Sequence, residues 1–457
     1  MSEFSTPLDA GQIEANFADI NPPMTPAQAA AEANRCLYCY DAPCMHACPT
    51  HIDVPAFIKK IASGNLTGSA RVIFDANPIG ATCARVCPVE ALCEGACVEK
   101  TLLKKPIEIG RLQRHATDHL INTKKSLFHP APSNGLSVAV IGSGPAGLSG
   151  AAYLARLGYA VTVYDRREKA GGLNTYGMAE YKMTQADSEA EIGLIRQLGI
   201  KFRLGTEITA SENGPSSIRF SDLLEANDAV FLGVGLGKTN RLNIPGEDLE
   251  GVLDALEFIE KVKSRDWASV PLGKRVAVIG AGNTAIDAVT QAKRLGAERA
   301  MIVYRRTEAD APAYDYELEL AKADGIEFHW QMTPVEIIGN GSANALRCDS
   351  PGGETIIECD LVIKAIGQTK MSAFFTEICG ITVDEKGRVI VNNEMQTSDP
   401  RIFAGGDCVN GGAEAVDAAQ MGKLAARAIH AKLTGEIAHF AGADVSRAQP
   451  VRSRQHG

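Results

Sequence analysis

No stretch of the sequence approaches the roughly 18 consecutive apolar residues of a membrane-spanning helix, which excludes a helical membrane protein. The opening segment, MSEFSTPLDAGQIEANFADI, lacks both the basic start and the apolar core of a secretory signal. A cytoplasmic location and no membrane partner are therefore expected. Positive charge is in deficit as well: 46 Lys and Arg against 55 Asp and Glu give a net charge of -9, which argues against nucleic acid as a main partner. The 12 cysteines do not have the layout of a secreted disulfide scaffold, because eight fall between Cys36 and Cys97 and four are dispersed later. In a reducing compartment those eight must hold metal or do redox work. At 457 residues the chain has room for about three domains, on a prior of about 150 residues each.

What is present is organised around Ser137 to Asp165, SVAVIGSGPAGLSGAAYLARLGYAVTVYD. Val138 to Ile141 has strand character. Gly142, Gly144 and Gly147 then spell G-x-G-x-x-G, with Ser143, Pro145 and Ala146 between them, and Ala151 to Leu157 continues as a helix. The glycines have separate tasks: a tight turn, close approach of a pyrophosphate to the backbone, and helix-on-strand packing, with the phosphates at the positive helix end. A second strand, Ala160 to Tyr164, ends in Asp165, about 20 residues on, where a carboxylate takes a ribose hydroxyl pair. An ordinary βα turn can share the glycine pattern. Strand, helix, strand and acid in this order point to a dinucleotide site.

Ahead of this unit the chain reads as helices and loops without a sheet. Thr25 caps and Pro26 opens an alanine-rich helix to about Arg35; Asp53 precedes a second, VPAFIKKIAS, that stops at Gly64; Thr67 caps a third to about Ala76. Such short helices make little core alone, so the cysteines are candidates to hold the segment. They form two quartets: Cys36, Cys39, Cys44 and Cys48 as C-x2-C-x4-C-x3-C followed by Pro49, and Cys83, Cys87, Cys93 and Cys97 as C-x3-C-P-x4-C-x3-C. Structural zinc prefers two C-x2-C-like pairs around one tetrahedral site. Here the tight pair occurs once, and the closing Cys-Pro is that of a bacterial ferredoxin run, whose last cysteine ligates the other cluster. Two [4Fe-4S] clusters are expected. Cys36, Cys39 and Cys44 share one with a cysteine of the second quartet, while Cys48 crosses to the other. Spacing alone nominates all eight thiolates, Cys83 included.

The runs RCLYCYDAPCMHACPTHIDVPAFIKKIASGN, NPIGATCARVCPVEALCEGACV and IEIGRLQRHATD resemble the N-terminal iron-sulfur domain of dihydropyrimidine dehydrogenase and its separate bacterial electron-input subunit; the glutamate synthase small subunit is a more distant relative. The resemblance extends from about Ala27 to Lys432. It implies one cluster on Cys36, Cys39, Cys44 and Cys97, and another on Cys48, Cys87, Cys93 and a glutamine oxygen, for which Gln113 stands, leaving Cys83 spare. This departs from the all-thiolate reading of the spacing. A neutral amide oxygen in place of a thiolate changes the charge of the cluster, so the two potentials should differ. In the family, the loop GGLNTYGMAEYKM, Gly171 to Met183, lies along a flavin, with Gly172, Leu173 and Lys182 at contact positions. That loop has no C-x4-C or C-x2-C, so the disulfide exchange of related reductases is not expected. Lys100 to Lys125 is locally basic, as many solvated faces are, and the composition between Leu120 and Leu136 marks a linker.

A second fingerprint, RVAVIGAGNTAIDAVTQAKRLGA from Arg275, has Gly280, Gly282 and Ala285 as G-x-G-x-x-A, with Ala281, Asn283 and Thr284 beside them. The strand that follows, Arg299 to Tyr304, ends in Arg305 and Arg306 instead of an acid. Guanidinium forks pair bidentately with a 2′-phosphate and point to NADPH; an arginine stacked on adenine would leave NADH possible. The first site then holds FAD and the inserted second site holds NAD(P)H. Asp228 to Val234 reads as a buried strand. Asp360 to Lys364 leads to Ala365, Ile366, Gly367 and Gln368, near the nicotinamide cofactor in the family, and Ile402 to Ala404 leads to Gly406 and Asp407 at the flavin. A helix from about Ala413 to Ala431 would point its N-terminus at the flavin ring, where its dipole favours an anionic reduced flavin.

The expected fold is α/β, two Rossmann-like dinucleotide-binding domains preceded by an α-helical iron-sulfur domain. Its divisions are 1–125 for the clusters, 126–240 and 371–457 for FAD, and 241–370 for NAD(P)H. The polar tail 435–457 adds no barrel, no FMN domain and no recognisable pyrimidine or glutamine pocket. No acid, base or nucleophile is nominated. The expected activity is NAD(P)H oxidation, with electrons passed through FAD and two [4Fe-4S] clusters. By resemblance, the receiver is a catalytic FMN/iron-sulfur subunit that reduces uracil or thymine to the 5,6-dihydro base. A glutamate synthase small subunit, a free-standing NAD(P)H:ferredoxin-type oxidoreductase, and a zinc module fused to a flavoprotein are the alternatives.

Overall fold

Val138, Ala139, Val140 and Ile141 are buried in succession, which suits a strand covered on both faces. In the computed structural model, which describes residues 8–442 except 212, 213 and 215, that strand is central. Residues 1–7 of the opening segment and 443–457 of the polar tail lie outside the described residues. The first sheet runs Ile402–Ala404, Ala229–Leu232, Ser137–Ile141, Ala160–Tyr164, Lys201–Arg203, all parallel. Ile141 is level with Tyr164 on one side and Leu232 on the other, so the carboxyl ends of three strands finish together, where open α/β sheets bind ligands.

The second sheet repeats the plan: Glu327–Trp330, Arg299–Tyr304, Arg275–Ile279, Leu361–Lys364, Val252–Asp254, again parallel. An antiparallel sheet of Thr333–Asn340, Ser342–Ser350 and Gly353–Glu358 packs Ile337, Leu346 and Ile357 against Ala277 and Val303 of the second sheet. The helix Ala415–Thr434, slightly displaced from its expected bounds, returns from the far end of the chain to lie on the fingerprint helix Pro145–Arg156. Their backbones approach closely enough for Ser149 Oγ to donate to the Ala419 carbonyl at 2.7 Å.

Before Ser137 the described chain is helical, as its pattern required. Thr25 makes a capping box with Gln28, and Asp53 caps Val54–Ala62 through the Ala56 N–H. The third helix, Leu66–Ala76, is capped by Asn65, whose Oδ1 accepts from the Gly68 N–H at 2.8 Å, and not by Thr67. A short side-chain amide one residue before the helix satisfies the free N–H groups that Thr67, already inside the first turn, cannot. The helices not anticipated include Ala10–Asn16, which has an Asp9–Gln12 capping box. Its Ile13 and the following Phe17 are buried against the second sheet's core, and Phe17 stacks on Trp267 at 5.1 Å. The D-x-x-Q spacing was the available signal. Among the described residues, no helix is long and apolar enough to cross a membrane.

Candidate cofactor-binding sites

The first cavity, about 440 Å³, opens at the carboxyl ends of the first sheet. Gly142, Gly144, Pro145 and Ala146 form its floor, with Asp165, Gly172, Leu173, Gly406 and Asp407 around it. The chain turns at Gly142 with φ +97°, and a side chain at Gly147 would put Cβ 1.9 Å from the Gly142 carbonyl oxygen. Gly147 is therefore a packing position behind the wall. A Cβ on Gly144 would meet nothing nearer than 4.0 Å, which leaves the space that a pyrophosphate against the helix N-terminus requires. Asp165 is fixed at the wall: its Oδ2 accepts from Ser143 N–H at 2.8 Å and Ser143 Oγ at 2.5 Å, and its Oδ1 accepts from Arg167 N–H at 2.9 Å. Burial pushes the Asp407 carboxyl up, against the Ala413 N–H that donates to its Oδ1 at 3.2 Å. Ala415 and Ala418 at the start of the helix Ala415–Thr434 also reach this cavity. Cys408, next to Asp407, is buried with its thiol on the Gly405 carbonyl at 3.3 Å, and burial lifts its pKa to about 12.

Lys182, expected along the flavin, is not among the residues that form this wall. Its ammonium is held by Asp287 at 2.7 Å and Glu317 at 2.5 Å, in a nearly dry position. Two buried carboxylates draw it towards the second sheet and push its pKa up in spite of burial. The same join is tied by Tyr314, whose hydroxyl donates to Glu414 Oε1 at 2.9 Å.

The second cavity, about 770 Å³, is formed by Gly280, Ala281, Gly282 and Thr284, by Arg305 and Arg306, and by Ala365, Ile366, Gly367 and Gln368. Asn283 is one step behind, its Oδ1 accepting from the Tyr314 N–H at 3.1 Å. Arg305 and Arg306 are exposed at the rim, and neither has an ion pair among the described residues. Thr239, Leu256 and Gln368 belong to both cavities, so the two spaces share a wall. Thr239 and Leu256 escaped the sequence reading. The glycine-rich GVGLGKTN after the strand Ala229–Leu232 was the clue, and a bridge between Thr239 and Gln368 explains its position.

In the helical region Cys36, Cys39, Cys44 and Cys97 come together around a small apolar cavity of about 30 Å³ with Pro43, Ile58 and Ile107. Burial, then the neighbouring thiols, lift Cys44 to about 12. Cys48, Cys83, Cys87 and Cys93 act on one another in a second group. A hydrogen bond with Cys83, then burial, push Cys87 up, and burial does the same for Cys48 and Cys93. Thiols this well protected ionise when a cationic core binds them, which is the donor chemistry an iron-sulfur cluster asks for. Gln113 is buried, with Nε2 donating to the Gly80 carbonyl at 2.7 Å, which fixes the amide and frees its oxygen from that contact. Cys83 is more buried than its companions and accepts from Asn77 Nδ2 at 3.1 Å. Among the described residues no three His, Cys, Asp or Glu side chains converge as a single-ion site. Cys83 and Cys87 pack on the core of the first sheet, Cys36, Cys44, Cys93 and Cys97 on the helical core, and Cys48 on both.

The family model for pyridine nucleotide-disulphide oxidoreductases matches residues 136–422, and that for dihydropyrimidine dehydrogenase domain II, 4Fe-4S cluster, matches 13–125. The chain is 34% identical over 417 residues to the NAD-dependent dihydropyrimidine dehydrogenase subunit PreT of Salmonella typhimurium, covering 91% of this chain and 97% of that one. It is 33% identical over 456 residues to the glutamate synthase [NADPH] small chain of Escherichia coli, covering 93% and 95%. Among solved structures, T. acidophilum thioredoxin reductase superposes with a TM-score of 0.53 at 22% identity, over 65% of this chain and 98% of that one, an agreement of fold.

Proposed function

The chain belongs to the pyridine nucleotide-disulphide oxidoreductase family, and from that footing we propose that it is the electron-input subunit of a dihydropyrimidine dehydrogenase, serving a separate FMN/iron-sulfur subunit that reduces uracil or thymine. It is an NAD(P)H oxidoreductase with a flavin and an iron-sulfur domain. In this reading residues 1–125 carry two [4Fe-4S] clusters, 126–240 and 371–457 the FAD, and 241–370 the nicotinamide cofactor. When bound, NAD(P)H supplies a hydride, FAD takes two electrons and gives them up singly, and the clusters carry one electron each.

The chain's own residues orient and insulate. Gly280 to Gly282 and the N-terminus of the helix Asn283–Leu295 receive one pyrophosphate, and Gly142 to Gly144 with the helix Pro145–Arg156 receive the other. Arg305 and Arg306 suit a 2′-phosphate. The leading turn of the helix Ala415–Thr434 directs its N–H groups at the first cavity, where they favour negative charge. Cys36, Cys39, Cys44 and Cys97 hold one cluster, and Cys48, Cys87, Cys93 and Gln113 the other. The supporting observation is the common wall at Thr239, Leu256 and Gln368: the two cavities adjoin, as hydride transfer from a nicotinamide to a flavin requires.

The test begins with the chain purified under argon. It should contain about eight irons with matching sulfide and bleach on adding NAD(P)H. With its co-purified partner it should then form dihydrouracil from uracil. Glutamate formed from glutamine and 2-oxoglutarate would transfer the assignment to glutamate synthase, and rapid ferredoxin reduction with no partner would make the chain a free-standing reductase. Zinc without cluster absorbance would end the proposal.

A further inference from the structure

Lys423 is a buried amine with no ion pair among the described residues. It is 0% exposed on the helix Ala415–Thr434, and its Nζ donates to two backbone carbonyls, Thr50 at 3.0 Å and Ala441 at 2.7 Å. No carboxylate pairs with it among the described residues. Asp75, the acid that acts on it, is already bound by Arg156 at 2.5 Å. From the cysteine segment His51 faces it, 6% exposed and with Nδ1 lacking a hydrogen-bond partner, and the Tyr153 ring lies 5.8 Å from Nζ. Proteins bury lysine almost only against a compensating charge. Within the described chain that compensation is missing.

Beyond Thr50 stands a candidate cluster ligand. Thr50 Oγ1 lies 3.4 Å from Cys48 Sγ. Burial lowers the Lys423 pKa to about 7, and of the groups that oppose this the Cys48 thiol is the strongest. An iron-sulfur core bound by thiolates is a net anion and becomes more negative on reduction. We propose that Lys423 is the counter-ion of the iron-sulfur cluster that takes Cys48, and that its charge raises the reduction potential of that cluster. The inference rests on the cluster assignment proposed above.

Lys423 touches no ligand and is a positioning residue that acts through its field. Ala415 and Ala418 of the same helix line the first cavity. At about 1.5 Å per helical residue, Lys423 follows Ala418 by roughly 8 Å. One helix therefore runs from the flavin space to the Cys48 segment, and its buried charge makes the cluster that takes Cys48 the easier of the two to reduce.

The experiment is a redox titration followed by electron paramagnetic resonance on the full chain purified anaerobically, with iron counted, for wild type, Lys423→Met and Lys423→Arg. In Lys423→Met one of the two iron-sulfur signals should move to lower potential by tenfold or more in its one-electron equilibrium, about 59 mV. The other signal should stay in place, and Lys423→Arg should match wild type. Loss of iron from the Met variant with retention in the Arg variant would equally support a requirement for charge. Unchanged potentials at full iron content, equal shifts of both signals, or loss of iron in both variants alike would overturn the inference. A wild-type chain without iron would instead fail the functional reading, so the two failures are distinguishable.

Discussion

Replacing Arg305 and Arg306 together by alanine should abolish preference for NADPH while leaving NADH oxidation nearly intact. Both side chains are exposed at the rim of the second cavity, directly after the strand whose neighbour carries the glycine turn. A hydrogen bond to a charged group contributes about 1.5–3 kcal/mol, and solvent screening at an exposed rim favours the low end. Two such forks on one phosphate then contribute roughly 2–3 kcal/mol. That corresponds to a rise of about 30- to 150-fold in KM for NADPH. NADH has no 2′-phosphate, so its KM should change by less than about threefold. The turnover number should hold for both nucleotides, because a contact equally present in ground and transition states acts on KM. The assay is anaerobic steady-state reduction of an artificial acceptor such as ferricyanide, titrated with each nucleotide, wild type against the double variant. A wild type that prefers NADH, or a double variant that loses equally with both nucleotides, would refute the reasoning. In either case the two arginines would be ordinary solvated side chains or would serve the adenine that both cofactors share.

Lys182→Met should leave Asp287 and Glu317 facing each other without a cation, costing about 3–5 kcal/mol in urea unfolding. Unaltered stability with a collapse in flavin affinity would instead return Lys182 to the flavin. Glu191 accepts from Ala81 N–H at 2.6 Å and Thr82 Oγ1 at 2.5 Å, and burial lifts its pKa to about 7 from 4.5. Because the folded value is the higher one, the contribution of this group is complete below about pH 4.5 and is lost as pH rises through 7, by about 3 kcal/mol in total. Thermal unfolding of Glu191→Gln should therefore show a flatter pH dependence between 5 and 8 than wild type; parallel curves would contradict the assignment. Gly422→Ala would place Cβ 2.2 Å from the Ala146 carbonyl oxygen and 2.8 Å from the Gly150 nitrogen. It should lower stability by about 1–3 kcal/mol and weaken flavin retention, and an unchanged melting temperature would show that the two helices are not so close.

How much of the site was legible depended on how local its cause is. The glycine turns, the strand ends at Asp165 and at Arg305, and the cysteine quartets announce themselves over a few residues, and the structure gathers Cys36, Cys39, Cys44 and Cys97 around one space. The ion pairs of Lys182 could not be read from the sequence because its partners, Asp287 and Glu317, come from a different sheet unit. Thr239 and Leu256 were missed because neither carries chemistry of its own. Each matters only where two cavities meet.

The sequence by itself determined two nucleotide-binding βα units and a cysteine-rich helical segment, since tight turns, helix dipoles and ligand spacing are properties of short contiguous stretches. Tertiary structure alone decided that the two cavities adjoin, that Lys182 pairs with Asp287 and Glu317, and that Lys423 meets Thr50 across 373 residues of chain. Such contacts have no local signature, because they follow from the burial of whole helices and sheets against one another, and only the completed packing selects which side chains lie between them.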